Sequence, residues 1–217
     1  MKKLKIRRVT LFLTFIILIL LSISFTNLVL NKKLSICIDP GHGGFDGGAK
    51  VSNYFEKDIT LNASLILGNL LEQTGYKVIY TRTKDEALSK EKVNDMKKRL
   101  KIINSKNNIL YISIHANIYP SKEVFGAQTF YNKENEKSKF LSEQIQSYFK
   151  IEQKNNNRLA KAITGKYILD KAETPGCIVE LGFMSNDSDL KYLTNNELLE
   201  YRCLMIYLGI LKYLEYN

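Results

Sequence analysis

The sequence predicts an α/β fold, an open, mostly parallel twisted sheet covered by helices and preceded by one N-terminal transmembrane helix. Two observations lead there. Strand-like and helix-like patterns alternate from Leu34 to the C-terminus, and a long uncharged run lies ahead of them. Alternating strands and helices build parallel sheets, because each parallel strand needs a crossover that packs on the sheet.

The run ahead of the domain comes first. Residues 1–8 carry five basic side chains (Lys2, Lys3, Lys5, Arg7, Arg8), and residues 9–30 then pass 22 positions without a charge. As a helix this segment spans about 33 Å, enough for a bilayer core. A cleaved signal peptide is the competing reading, but no alanine occurs before Ala49 to make an A-x-A-like site. The basic flank favours an inside N-terminus, which puts residues 31–217 outside the cytoplasm. After Leu30 the chain has 27 Lys+Arg against 22 Asp+Glu. That moderate excess suits an anionic polymer or a lipid surface, or simply solubility.

Within 31–217 no repeat or Pro/Ser-rich linker marks a boundary, so a single domain is expected. "LSICID" reads as a strand. Ile59, Ala63, Ile66 and Leu70 make a helical face that stops at Gly75. "KVIYT" is a strand, and Val93, Met96, Leu100 and Ile103 form the next helical stripe. The lysines of that helix read as a solvated face. "ILYISI" and "GAQTFY" are strands, and Leu141, Ile145 and Tyr148 mark a helix. "YIL" and "CIVELGF" read as strands on either side of a turn at Pro175-Gly176. Leu204, Leu208 and Leu211 lie on a closing helix. Cys37, Cys177 and Cys203 are odd in number and form no CxxC. They read as small buried apolar residues, with a Cys37–Cys177 bridge open only if their strands are neighbours.

The chemistry gathers at strand ends, where open α/β sheets bind ligands. The stretch "CIDPGHGGFDGG" (residues 37–48) places His42 among five glycines, and His115 ends "ILYISIH"; the chain has no other histidine. Two imidazoles and one carboxylate with an open fourth position make a catalytic zinc site. Asp39, Asp46, Glu56 and Glu180 are the acids that compete for that place, and spacing does not select among them. Glu56 has a rival use, since Asn53-x-x-Glu56 ahead of the Ile59 stripe fits a capping box. Glu180 is a lone acid in the apolar strand "CIVELGFMSN", where an unpaired carboxylate is costly and a proton-transfer role accounts for it. Neither a nucleophile elbow nor a phosphate loop is present.

Five segments in order, "IDPGHGGFDGGA", "EKDITL", Thr81-Arg82, "SIHAN" and "VELGFMSN", resemble the zinc-dependent N-acetylmuramoyl-L-alanine amidases of the amidase 3 type, from about Leu34 to the C-terminus. The resemblance implies an α/β sheet with helices on both faces. It implies His42, Glu56 and His115 as Zn2+ ligands and Glu180 as the catalytic carboxylate. Asp39 and Asn117 are then candidates to orient the histidines, and Arg82 either faces the cleft or pairs with a nearby acid. The implied reaction is hydrolysis of the amide between N-acetylmuramic acid and L-alanine in peptidoglycan. Gly47 stands where many relatives have proline. Only residues 118–125 separate "SIHAN" from "GAQTFY", too few for the regulatory helix that some relatives insert there. A short, N-terminally anchored catalytic domain is similar to the sporulation members that process spore cortex for germination. The expected partners are the stem peptide and glycan, the membrane through the N-terminal segment and, as a further candidate, an accessory protein. Nucleic acid is not expected, for the basic charge comes without a basic-aromatic stripe. The alternative is a membrane-anchored peptidoglycan-binding or scaffold module that keeps the fold without turnover.

Overall fold

The computed structural model describes residues 34–216 and, ahead of them, Thr14, Ile16 and Ile17; most of the expected anchor at 9–30 and the basic tail at 1–8 lie outside the described residues. Among the described residues, no helix is long and apolar enough to cross a membrane.

The chain forms β1 (Ser35–Pro40), a small hairpin of β2 (Lys50–Val51) and β3 (Tyr54–Phe55), α1 (Glu56–Gln73), β4 (Lys77–Tyr80) and α2 (Lys92–Ile103). It continues through β5 (Asn108–Asn117), β6 (Gln128–Tyr131), α3 (Glu136–Glu152), β7 (Lys161–Ala162), α4 (Tyr167–Lys171), β8 (Gly176–Phe183), α5 (Asp187–Thr194) and α6 (Asn196–Leu214). The main sheet of the described residues runs in the order β4-β1-β5-β8-β6-β7. β4, β1, β5 and β8 are mutually parallel. β6 runs antiparallel to β8, and β7 follows β6. The sheet is therefore mixed and mostly parallel.

Strand alternation divides the side chains between two faces. Ile36, Ile38, Leu110, Ile112, Ile114, Val179 and Leu181 point into the larger core, roofed by α1, α3 and α6. Cys37 and Tyr111 point the other way, against Ile103 of α2 and Ile168 of α4. Burial on both faces explains why β1 and β5 read as nearly continuous apolar runs. It also separates Cys37 from Cys177, which lies in the larger core on a strand that β5 holds apart from β1; all three cysteines are free and buried.

Three local expectations change. "YIL" is not a strand but opens α4. Asp170 accepts a hydrogen bond from the Gly165 N–H at 2.8 Å, and the Asp170 N–H donates to Lys166 O at 2.8 Å, closing a helical turn that strand-favouring side chains conceal. On α2 the buried residues are Asp95, Arg99 and Ile103, while Val93 is exposed. The inward face of this helix meets Asp39 at the polar end of β1, so ion pairs replace an apolar stripe. On α6 the most buried line is Leu199, Cys203, Ile206 and Ile210, with Leu204 and Leu208 flanking it, because the helix is wedged between α1 and α3. Arg202 of α6, itself buried, donates to both carboxylate oxygens of Glu152 at 3.0 Å and to Leu181 O.

Gly209 lets α6 approach α3. A Cβ there would lie 2.5 Å from Ile145 Cα and 2.8 Å from its Cγ1. In an exposed helix Gly→Ala gains about 1 kcal/mol. Here Gly209→Ala is expected to destabilise by about 1–3 kcal/mol, read as a lower urea midpoint at unchanged slope. A variant as stable as the parent would show that the two helices do not need this contact.

Candidate metal centre

Because β1, β5 and β8 run parallel, their C-terminal ends share one edge of the sheet, and the candidate residues meet there. His42 follows β1 by two residues. His115 lies inside β5 rather than past its end, and register sets it beside Glu180 of β8. Alternation puts both on the face covered by α2 and α4, opposite the larger core. Glu56 is the first residue of α1.

Glu56 Oε1 is 3.1 Å from His42 Nε2 and 3.0 Å from His115 Nδ1. The two rings stand edge to face, 5.1 Å apart at 79°. One ligand atom from each of the three residues lies within 4.8 Å of the others. The Glu56 carboxylate is further fixed by the N–H groups of Ala116, to Oε1 at 3.2 Å, and Ala49, to Oε2 at 2.9 Å. Burial alone would raise its pKa, but the two imidazoles outweigh burial and hold it well below the usual carboxylate range. The capping box does not form: Phe55 is the N-cap of α1, and no side chain caps it. Two imidazole nitrogens and a carboxylate oxygen, converging from three separate elements, fit a divalent metal that accepts mixed N and O donors.

The loop carrying His42 is held in an uncommon conformation. His42 has φ 61°, in the left-handed region that non-glycine residues rarely adopt. Arg99 donates to His42 O and, at 2.6 Å, to Pro40 O. Gly48 has φ 66°, and a Cβ there would sit 2.6 Å from Glu56 Oε2 and 2.8 Å from His42 Cδ2. Glycine at 48 therefore both permits the turn and leaves space for two of the candidate ligands.

The remaining candidate residues are placed as follows. Asp39 accepts from Thr81 Oγ1 at 2.6 Å, Ser113 Oγ at 2.7 Å and Arg99 Nη1 at 2.9 Å, with no hydrogen bond to either histidine. Burial opposes ionisation of Asp39, but the Arg99 charge and the two hydroxyls win and lower its pKa. Asn117 lines the cleft, and its side-chain oxygen accepts from the Ile118 N–H at 2.8 Å rather than meeting a ring. Arg82 neither faces the cleft nor pairs with an acid through a hydrogen bond. It is buried and donates to the carbonyls of Pro40, Gly41, Lys57 and Lys84 and to Thr60 Oγ1, a scaffold under the glycine loop. The carboxylate beside His42 is Asp46, whose Oδ1 is 3.0 Å from Nδ1 and whose Oδ2 is 3.1 Å from Lys92 Nζ.

Glu180 borders a cleft of about 420 Å³ that His42 and His115 also line. Its Oε2 is buried with no hydrogen-bond partner among the described residues. Burial is the main cause that raises its pKa, His115 draws it down, and the Glu56 charge adds to the rise. A buried carboxyl oxygen without a partner, next to a cleft, is placed to exchange a proton with a bound molecule.

Sequence reasoning weighed Asp46 only as a rival ligand and passed over Arg99. The spacing Asp95–Arg99, i to i+4 on one helix, is the signal that was available for the second; the 2.7 Å pair they form is buried.

Comparisons with known proteins show the family. The family model described as N-acetylmuramoyl-L-alanine amidase matches residues 36–212. A germination-specific N-acetylmuramoyl-L-alanine amidase of Bacillus subtilis (strain 168) is 36% identical over 226 residues, covering 96% of this chain and 95% of that protein. The CwlD amidase from Clostridioides difficile, in complex with the GerS lipoprotein, matches with a TM-score of 0.80 and 38% identity over 85% of this chain and 100% of that one. The amidase AmiC2 of Nostoc punctiforme matches with a TM-score of 0.72 and 29% identity over 85% of this chain and 99% of that one. This chain belongs to the amidase 3 family of N-acetylmuramoyl-L-alanine amidases.

Proposed function

We propose that the protein hydrolyses the amide between the lactyl group of N-acetylmuramic acid and the L-alanine of the stem peptide, acting on spore-cortex peptidoglycan. The observation that carries this is the convergence of His42, Glu56 and His115 near the Glu180 oxygen that has no partner among the described residues, at a cleft of about 420 Å³. The near-full-length match to a germination-specific amidase supports the cortex role.

In this reading His42, Glu56 and His115 hold Zn2+. Zinc held there would supply Lewis acidity, lowering the pKa of water to about 7 and polarising a carbonyl oxygen. Glu180 takes the proton of the attacking water and returns one to the leaving amine of L-alanine. Its buried Oε2, free of any hydrogen-bond partner among the described residues, leaves it available for both halves of that task. The Asp46 carboxylate, 3.0 Å from Nδ1 of His42, would favour the ring orientation in which Nε2 is the nitrogen presented to the metal. Asp39, Arg82 and Arg99 act one step back by holding the loop. Residues 31–217 form the catalytic unit, residues 9–30 anchor it, and it works outside the cytoplasm. The GerS lipoprotein in the CwlD complex supports an accessory protein for this chain as well.

Glu180→Gln is expected to lower muropeptide release by roughly 10²–10⁴-fold, by mass spectrometry of digested sacculi, while bound metal stays near the parent stoichiometry. His42→Ala is expected to lose both, and a chelator should abolish parent activity until Zn2+ is returned. Full release by Glu180→Gln would reject its role as the proton carrier.

Asp46→Ala is expected to weaken zinc roughly 10–100-fold, measured by competition with a chromophoric chelator. Unchanged affinity would mean that the ring of His42 is held by the loop alone.

A further inference from the structure

The cleft wall carries a cation that the protein itself does not use. Three cationic side chains line the cleft. Lys92 is engaged by Asp46 at 3.1 Å, and Arg99 is spent on Asp39, Asp95 and the carbonyls of Pro40 and His42. Lys166 has neither an ion pair nor a side-chain hydrogen bond among the described residues. Its backbone is nonetheless fixed, since it is the N-cap of α4 and its carbonyl accepts from the Asp170 N–H at 2.8 Å. Lys166 and Glu180 line the same cleft. Lys166 is thus an exposed side chain on a held main chain, at the rim of the cleft that Glu180 also lines.

The geometry points to Lys166 as a specificity-determining residue that binds the free α-carboxylate of the acidic residue following L-alanine in the stem peptide. This inference rests on the amidase reading above. Glu180 hands its proton to the leaving amine, so the peptide leaves the scissile bond within the cleft that Lys166 also lines. L-alanine offers no charge. The next residue of a peptidoglycan stem is D-glutamate joined through its γ-carboxyl, which leaves the α-carboxylate free and adjacent. An ammonium facing a carboxylate over a partly apolar wall, here Phe130, Ile163 and Tyr167, makes a charge-assisted hydrogen bond that a neutral carboxamide of the same shape does not match.

The test uses the full chain loaded with zinc and two disaccharide tripeptides that differ at one group, an α-carboxylate (D-isoglutamate) or a carboxamide (D-isoglutamine) at the second residue. The wild type is expected to favour the carboxylate by roughly 10-fold in kcat/KM, with the difference in KM. Lys166→Met should bring the ratio to about 1 through loss on the carboxylate substrate, and Lys166→Arg should keep most of the preference. A wild type without preference, or a preference that survives Lys166→Met, overturns the inference and leaves the amidase reading standing. So does an equal fall in kcat on both substrates with a displaced pH profile, which would mean that Lys166 acts through Glu180. Release from neither these substrates nor digested sacculi by the wild type overturns the amidase reading and this inference together.

Discussion

β5 lies between β1 and β8 and runs parallel to both, and this arrangement decides where chemistry can take place. Parallel strands end at the same edge, so a loop after β1 and the C-terminal halves of β5 and β8 deliver His42, His115 and Glu180 to one place although they are far apart in sequence. The pleat then chooses the face. A shift of one residue in β5 would turn His115 into the larger core and Ile114 towards the cleft. The apolar residues that fix the register, Ile112, Ile114, Val179 and Leu181, therefore also aim His115 and Glu180.

What the strands cannot fix, the loop after β1, is held by buried cations. Arg82 and Arg99 reach the carbonyls of Pro40, Gly41 and His42, and Arg99 neutralises Asp39 at 2.9 Å. A buried pair of this kind adds little net stability compared with an apolar substitute, yet removing one partner strands the other and costs about 3–5 kcal/mol. Its contribution is geometric. His42 is kept at φ 61°, a conformation the chain would not hold unaided.

The parts legible in the sequence were those whose pattern is local. The apolar runs around Ile38, Ile112 and Val179 read directly as strands, and the two histidines stood out by rarity and by lying near strand ends. Glu56 was ambiguous because a capping box and a metal ligand need the same residue type at the same spacing; the hairpin of β2 and β3, only two residues per strand, turns it towards the histidines. Arg99 was hidden because its partner Asp39 is 60 positions away, and a helix facing a buried carboxylate shows no apolar stripe at that point. α4 was misread because its closing hydrogen bonds come from Asp170 and the main chain, while Tyr167, Ile168 and Leu169 locally favour a strand.

The three thiols have their own consequence. Cys37, Cys177 and Cys203 are sealed in the interior, and burial pushes their ionisation up, that of Cys177 to about 12. A neutral, inaccessible thiol is a poor nucleophile and a poor target for oxidants. The folded domain can therefore work in oxidising surroundings without a bond between cysteines to hold it or a need for one to form. Its exposure to mispairing is confined to the intervals before folding and after unfolding, so the lifetime of the native state, rather than the redox potential around it, sets how long the protein survives.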